Sequence, residues 1–234
     1  MSLLLKVSAK LKIFTIIKEN SIRVPKKNFV DFKGQPLWWH LLSELNDLDV
    51  TVNTDSSIFK KQLELSNLKN IKVIHRLKKH IDWENDKNNT TSPVENMLFD
   101  FCKKLDRSEV VVLTHITSPF LKKQTILDAV KLLQNDKKSK SIHSVQKVQD
   151  FVWLREKTNI KPINFLTDRV QKTQDLEPIF ISKGAFFIAE AGDILDQRKR
   201  LPLPLMFFPL NHIESIEIDN IEDLEFARML KGVL

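Results

Sequence analysis

Glycine is scarce and tyrosine is missing: four glycines stand among 234 residues, beside fifteen phenylalanines and no tyrosine. Motifs that other proteins write with glycine or tyrosine therefore have to appear here in altered form. Cysteine is reduced to Cys102, which excludes an internal disulfide; a reducing cytoplasm is the expected compartment. No apolar run approaches the roughly 18 to 20 residues that span a bilayer. The start, Met1 to Lys6, has neither the length nor the small-residue cleavage site of a signal peptide. With 42% hydrophobic residues the chain can bury one sizeable core, and one domain over residues 1–234 is expected.

Positive charge is in excess. The formal net charge of +7 raises the question of nucleic acid. The lysines, however, are scattered in ones and twos, without the interleaved aromatics of a base-stacking platform. The expected partner is an anionic small molecule, with no nucleic acid and no membrane.

Strand-like runs rich in β-branched residues occur at Lys12 to Ile17, Asp49 to Asn53, Ile71 to His75 and Glu109 to Leu113. Helical periodicity is predicted at Leu37 to Leu45, Ser57 to Leu65, Val94 to Leu105 and Lys123 to Gln134. This alternation predicts an α/β fold with a mostly parallel sheet and helices on both faces. After residue 140 the rhythm changes. Strands are expected at Ser141 to Val148, Ala185 to Ala189, Leu205 to Phe208 and Ser215 to Ile218, with helices at Asp193 to Arg198 and Ile221 to Leu230. Residues 149–178 read as an excursion from the sheet.

Three segments carry possible chemistry. The loop after the first strand, from Lys18 to Asn28, alternates the cations Lys18, Arg23, Lys26 and Lys27 with small polar residues that can turn the backbone toward an anion. It lies where open α/β sheets place their ligand crevice; a solvated basic loop is the plainer alternative. Thr114-His115-Ile116-Thr117-Ser118-Pro119 follows the fourth strand at the same sheet edge, and is equally an ordinary turn and helix start. Glu217 and Asp219 alternate along the expected strand before the last helix, so their carboxylates can share a divalent cation. Alternatively, Asp219 or Asn220 caps that helix.

Together these segments resemble the cytidylyltransferases that activate acidic sugars, above all the CMP-N-acylneuraminate (CMP-sialic acid) synthetases and more distantly the CMP-Kdo synthetases. Asn20, Ser21, Pro25, Lys27 and Asn28 match that family's first loop, while Lys18 stands in place of Arg and Ile22 in place of Lys. Val52 to Ser56 is similar to its Val-Ser-Thr-Asp segment, Arg76 to its nucleotide-contacting Arg, and Asn89 to Ser92 to its Asp-Thr-Ala-Ser stretch. Thr117-Ser118-Pro119 matches the end of Gln-Pro-Thr-Ser-Pro, with His115 in the Gln position. Gly184 to Ile188 is similar to Gly-Ala-Ile-Tyr-Ile, with Lys183 before it where Asn is usual and Phe187 in the Tyr position; Ser215 to Asp219 is similar to Ser-Ile-Asp-Ile-Asp.

The resemblance implies a Rossmann-like nucleotide-diphospho-sugar transferase fold, a homodimer, and transfer of CMP from CTP to an acidic sugar with Mg²⁺ as cofactor. It implies catalytic roles for Lys27 and Asp219, and nucleotide contacts from Lys18, Asn20, Ser21, Lys27, Asn28, Arg76 and Ser92. Sugar contacts fall to His115, Thr117 and Gln174, and metal ligation to Asp219 and Glu217. The segment 149–178 becomes a dimerisation arm, with Arg155 and Arg169 as carboxylate contacts. The substitutions at Lys18, Ile22, His115, Lys183 and Glu217 also fit a nucleotide-binding homologue with weakened catalysis. Another nucleotidyltransferase, using a different NTP and a sugar phosphate, is the remaining alternative.

Overall fold

The computed structural model describes residues 11–21 and 23–233; Ile22 and the first residues therefore lie outside the described residues. Seven strands form the main sheet: β1 (Leu11–Ile17), β4 (Val50–Thr54), β5 (Ile71–His75), β6 (Val110–Thr114), β7 (Ser141–Val148), β10 (Ile179–Glu190) and β11 (Leu205–Pro209). Their order is β11-β7-β10-β6-β1-β4-β5. β10 runs antiparallel to both of its neighbours, and the remaining pairs are parallel. Two short hairpins complete the strands, β2 (Asp31–Phe32) with β3 (Gln35–Pro36), and β8 (Trp153–Glu156) with β9 (Asn159–Pro162).

The alternation of side chains along the central strands explains the three layers. Ile13, Val112, Phe186 and Ile188 project to one face, where they pack under α1 (Leu37–Glu44), α2 (Ser57–Glu64) and α5 (Lys123–Asn135). Phe14, Val111, Leu113, Phe187 and Ala189 project to the other, against α4 (Val94–Cys102) and α6 (Ala191–Gln197). Trp38, Leu41 and Leu42 of α1 and Ile126, Ala129, Val130 and Leu133 of α5 supply the apolar stripes. Cys102 is buried in the second layer, and burial pushes its thiol up to about 12, so it behaves as a small core residue.

A third cluster matters most for the site. Phe32, Leu37, Phe120, Leu224 and Ala227 surround Ile218, which is fully buried. Leu224 and Ala227 belong to α7 (Ile221–Lys231). That helix begins with a capping box, in which the Asn220 side chain accepts from the Asp223 amide and the Asp223 carboxylate accepts from the Asn220 amide.

Two expectations need correction. Ser215 to Ile218 is not a strand: residues 212–215 turn, with the Ser215 amide donating to Asn211 O at 3.0 Å, and residues 216–219 join no ladder. Its backbone groups are taken instead by a loop and a lysine, described below. The helix α3 (Lys78–Asn85) was not predicted, because its only buried residue is His80 and it carries no apolar stripe. Among the described residues no helix is long and apolar enough to cross a membrane.

Two outcomes follow for stability. Asn220→Ala should lower it by about 1 kcal/mol in urea unfolding, as loss of an N-cap does. His40, His80 and His143 are all held below the ordinary histidine value, chiefly by burial. The unfolded chain then takes up their protons first as pH falls below about 6.5, so stability decreases with falling pH. Urea midpoints at pH 7.5 and 5.5 measure this, and His143→Gln should reduce the difference.

Candidate functional site

The site forms where β1 and β6 end. After β1 the chain passes through a loop that closes with the single 3₁₀ turn Lys27–Phe29, entered through Lys26 in the left-handed region at φ 49°. Asn28 is buried and its side-chain amide donates to Lys18 O at 2.8 Å, folding the loop back on the strand end. Lys27 then points into the protein, its side chain only 11% exposed. Its ammonium donates to Ile218 O at 2.9 Å and to Asp219 Oδ1 at 3.1 Å.

The loop after β6 reaches the same segment. The Ile218 amide donates to Thr117 O at 2.8 Å, so both backbone groups of Ile218 are tied to predicted site loops. Arg23, on the exposed side of the first loop, donates to Asp219 Oδ1 at 2.9 Å. Glu217 turns toward β10, where its Oε1 accepts from the Gly184 amide at 2.8 Å. Burial pushes the Glu217 carboxyl up, while the Gly184 amide and Lys183 draw it back.

Asp219 Oδ2 and Glu217 Oε2 have no hydrogen-bond partner among the described residues. No third His, Cys, Asp or Glu joins them in a metal-binding cluster among those residues. Two alternate carboxylates with open oxygens fit a hard cation that keeps most of its water and shares phosphate oxygens, as Mg²⁺ does.

His115 lies at the meeting point of these groups. Burial, with help from the Arg200, Lys18 and Lys27 cations and against Asp219, lowers it to about 4, so its ring is neutral at neutral pH. It stands edge-on to Phe187, whose other contacts are a stacked His143 ring at 4.5 Å and the Arg200 guanidinium 4.5 Å from its centroid. Beside Glu217 a cavity of about 450 Å³ opens, lined by Gln146, Lys183, His212, Ser215, Glu217 and Phe226 among others.

Of the residues expected in the site, Lys18, Lys27, Asn28, His115, Thr117, Glu217 and Asp219 are brought together. Arg76 sits deeper, 1% exposed, and is paired with Glu84 and with Asp55 at 3.8 Å. Asn20 is exposed at the loop surface, and Ser21 is half-buried beside it. Ser92 is exposed and its hydroxyl accepts from the Val94 amide. Gln174, Arg155 and Arg169 are exposed in the segment 149–178, and the Gln174 carbonyl accepts from Gln149. Sequence reasoning missed Glu84 and Arg200. Glu84 lies on the unpredicted α3, and Arg200 lies in a basic run, 198–200, with no motif around it.

A model of the cytidylyltransferase family matches residues 19–231. The N-acylneuraminate cytidylyltransferase of Streptococcus agalactiae serotype V is 23% identical over 221 residues, covering 88% of this chain and 49% of the relative. The serotype III enzyme gives the same figures, so the chain spans about half the length of the curated relatives it matches. A CMP:2-keto-3-deoxy-manno-octonic acid synthetase complexed with CTP superimposes with a TM-score of 0.66 at 14% identity, over 96% of this chain and 99% of that one. A 4-diphosphocytidyl-2C-methyl-D-erythritol synthase from Anaerococcus prevotii gives 0.65 at 14% identity, over 97% and 99%. These two likenesses establish a shared fold.

A Cβ added at Gly184 would lie 2.5 Å from Glu217 Oε1 and 3.4 Å from His115 Cδ2. Gly184→Ala should therefore rotate the Glu217 carboxylate away from the residue-184 amide. A crystal structure of the variant with that hydrogen bond intact would contradict this.

Proposed function

The chain belongs to the cytidylyltransferase family, and on that premise we propose that it transfers the CMP group of CTP to the anomeric hydroxyl of an acidic 2-keto sugar, releasing pyrophosphate. The observation that carries this reading is the meeting of Lys27, from the loop after β1, with the Ile218–Asp219 segment 191 residues away in sequence. The basic loop after β1 and the segment carrying Glu217 and Asp219 are thereby joined at one end of the sheet. The acidic-sugar acceptor is supported by the names of the Streptococcus agalactiae relatives, and a cationic side chain, Lys183, lines the cavity next to Glu217.

In this reading the sugar hydroxyl loses its proton to solvent and its oxygen forms a bond to the α-phosphorus as the bond to the bridging oxygen of the pyrophosphate breaks. Negative charge grows on the phosphoryl oxygens and the leaving group, so positioned cations are the main catalytic resource. Lys27 and Arg23 hold Asp219 in place and face the phosphates from the loop side. Lys18 and the turn around Ser21 flank the triphosphate, while Asn28 orders the loop through Lys18 O. His115, being neutral, offers a hydrogen bond to the sugar without adding charge. Mg²⁺ bound by Asp219 and Glu217 would neutralise phosphate charge and lower the pKa of a bound hydroxyl. A homodimer in the cytoplasm, with residues 149–178 reaching a partner's sugar pocket, completes the proposal.

The test is pyrophosphate release from CTP with N-acetylneuraminic acid, 3-deoxy-manno-octulosonic acid and 2-C-methylerythritol 4-phosphate as acceptors, with and without Mg²⁺. Turnover is expected with an acidic sugar and should require Mg²⁺. Lys27→Ala and Asp219→Ala should each lower kcat/KM by about a hundredfold or more. Turnover with the erythritol phosphate alone would overturn the acceptor assignment, and CTP binding without any turnover would leave a nucleotide-binding homologue.

A further inference from the structure

Glu84 takes no part in the chemistry described so far, yet it joins the two halves of the nucleotide end of the site. Its Oε1 accepts from the Lys18 ammonium and its Oε2 from Arg76 Nη2. Arg76 Nη2 also donates to His80 O at 3.3 Å, and Arg76 Nη1 stands 3.8 Å from Asp55 Oδ2. Lys18 belongs to the loop after β1, Arg76 follows β5, and Glu84 arrives on α3. One carboxylate therefore pins a helix across the gap between two strand ends.

Burial works against ionisation of Glu84, but the Lys18 and Arg76 donors together hold its carboxyl below the ordinary range, so it is an anion at any working pH. The carboxylate, planar and doubly accepting, offers Lys18 and Arg76 the kind of paired oxygen acceptors that a phosphate group also presents. The network also keeps unmet capacity: Arg76 Nε and Asp55 Oδ1 are buried without a hydrogen-bond partner among the described residues. A buried guanidinium nitrogen without a protein acceptor has a hydrogen bond left to donate. Lys18 is the more exposed cation, at 38% of its side chain against 2% for Arg76, and so is the one free to change partner.

We propose that Glu84 is a built-in stand-in for phosphate: it holds Lys18 and Arg76 in register before the nucleotide arrives, yields Lys18 to the polyphosphate on binding, and recaptures Lys18 as pyrophosphate leaves. This rests on the reading of the first loop as a triphosphate cradle. Glu84 is a positioning residue that acts through Lys18. It sets a threshold, since an anion must outbid a fixed carboxylate to engage the loop, and a highly charged triphosphate does so more readily than a singly charged sugar acid. The returning carboxylate disfavours the bound state of pyrophosphate and so speeds its release.

The experiment is calorimetric titration of inorganic tripolyphosphate and of CTP into the wild type, Glu84→Gln, Lys18→Met and the double variant. Glu84→Gln should bind tripolyphosphate roughly five- to tenfold more tightly, the scale of removing one competing charged partner. In the Lys18→Met background the same change should have no effect. Pyrophosphate should inhibit Glu84→Gln at correspondingly lower concentration. A merely structural role would weaken binding instead, so equal or weaker affinity in a folded Glu84→Gln overturns the proposal. Should that variant fail to fold, Glu84→Asp, which keeps the charge but is too short to bridge both cations, should tighten binding by an intermediate factor, and unchanged binding there overturns it as well. If Lys18→Met binds as tightly as the wild type, the cradle itself fails and the proposal with it; if Lys18→Met weakens binding while the Glu84 variants do not tighten it, only the role of Glu84 fails.

Discussion

The site depends on one ammonium group. Lys27 is mostly enclosed, and it ties the loop after β1 to a segment far along the chain, through the backbone of Ile218 and the carboxylate of Asp219. The segment carrying them belongs to no sheet, so no ladder of backbone bonds fixes its position. It is held by the Lys27 bond on one side, the Thr117 carbonyl on the other, and the burial of Ile218 against Phe32, Phe120 and Leu224 below. A charge-assisted bond in such a part-buried place is worth more than a surface ion pair, and its loss leaves the Asp219 carboxylate with the exposed Arg23 as its one cationic partner among the described residues. The 3₁₀ turn, the buried Asn28 and the left-handed Lys26 flank Lys27 and fold its loop back on the end of β1.

Four cations of this site already have carboxylate partners. Lys18 is matched by Glu84, Arg76 by Glu84 and Asp55, and Lys27 and Arg23 by Asp219. Anion binding to such a surface is an exchange of partners, in which carboxylates released from their cations become available for other work. Pairing also keeps a basic loop ordered, because several like charges crowded at one strand end would otherwise repel.

Much of this was legible in the sequence. β5 and β7 carry their expected bounds, and most of the other expected strands and helices lie within a residue or two of theirs, because β-branched runs and apolar stripes state their period openly. The exceptions are instructive. α3 buries little beyond His80, so periodicity gives no sign of it, and Glu84 was invisible for the same reason. Ser215 to Ile218 has the composition of a strand, but Asn211 and Glu214 close a turn ahead of it, and Ile218 spends its backbone on Lys27 and Thr117. Local composition records a preference for extended backbone and says nothing of which partner will accept the bonds. Glu217 and Asp219 flank the buried Ile218, one carboxylate turned to the Gly184 amide and the other to Lys27 and Arg23.

The scarcity of glycine and tyrosine also finds its physical place here. Gly184 is kept at a point where any side chain would strike Glu217, so its conservation of space is a requirement of the carboxylate it faces. Gly34, at φ 85°, closes the β2–β3 hairpin beside Lys33, a turn that positive φ makes tight. Where tyrosine would bring a hydroxyl, Phe187 brings only a ring, and that ring is used on both faces: His143 stacks on one side and Arg200 is drawn to it electrostatically. The polar work near the ring passes to His115, and burial beside three cations keeps that imidazole uncharged. A neutral donor-acceptor next to a field of paired charges can hydrogen-bond a neighbouring polar group without adding charge of its own.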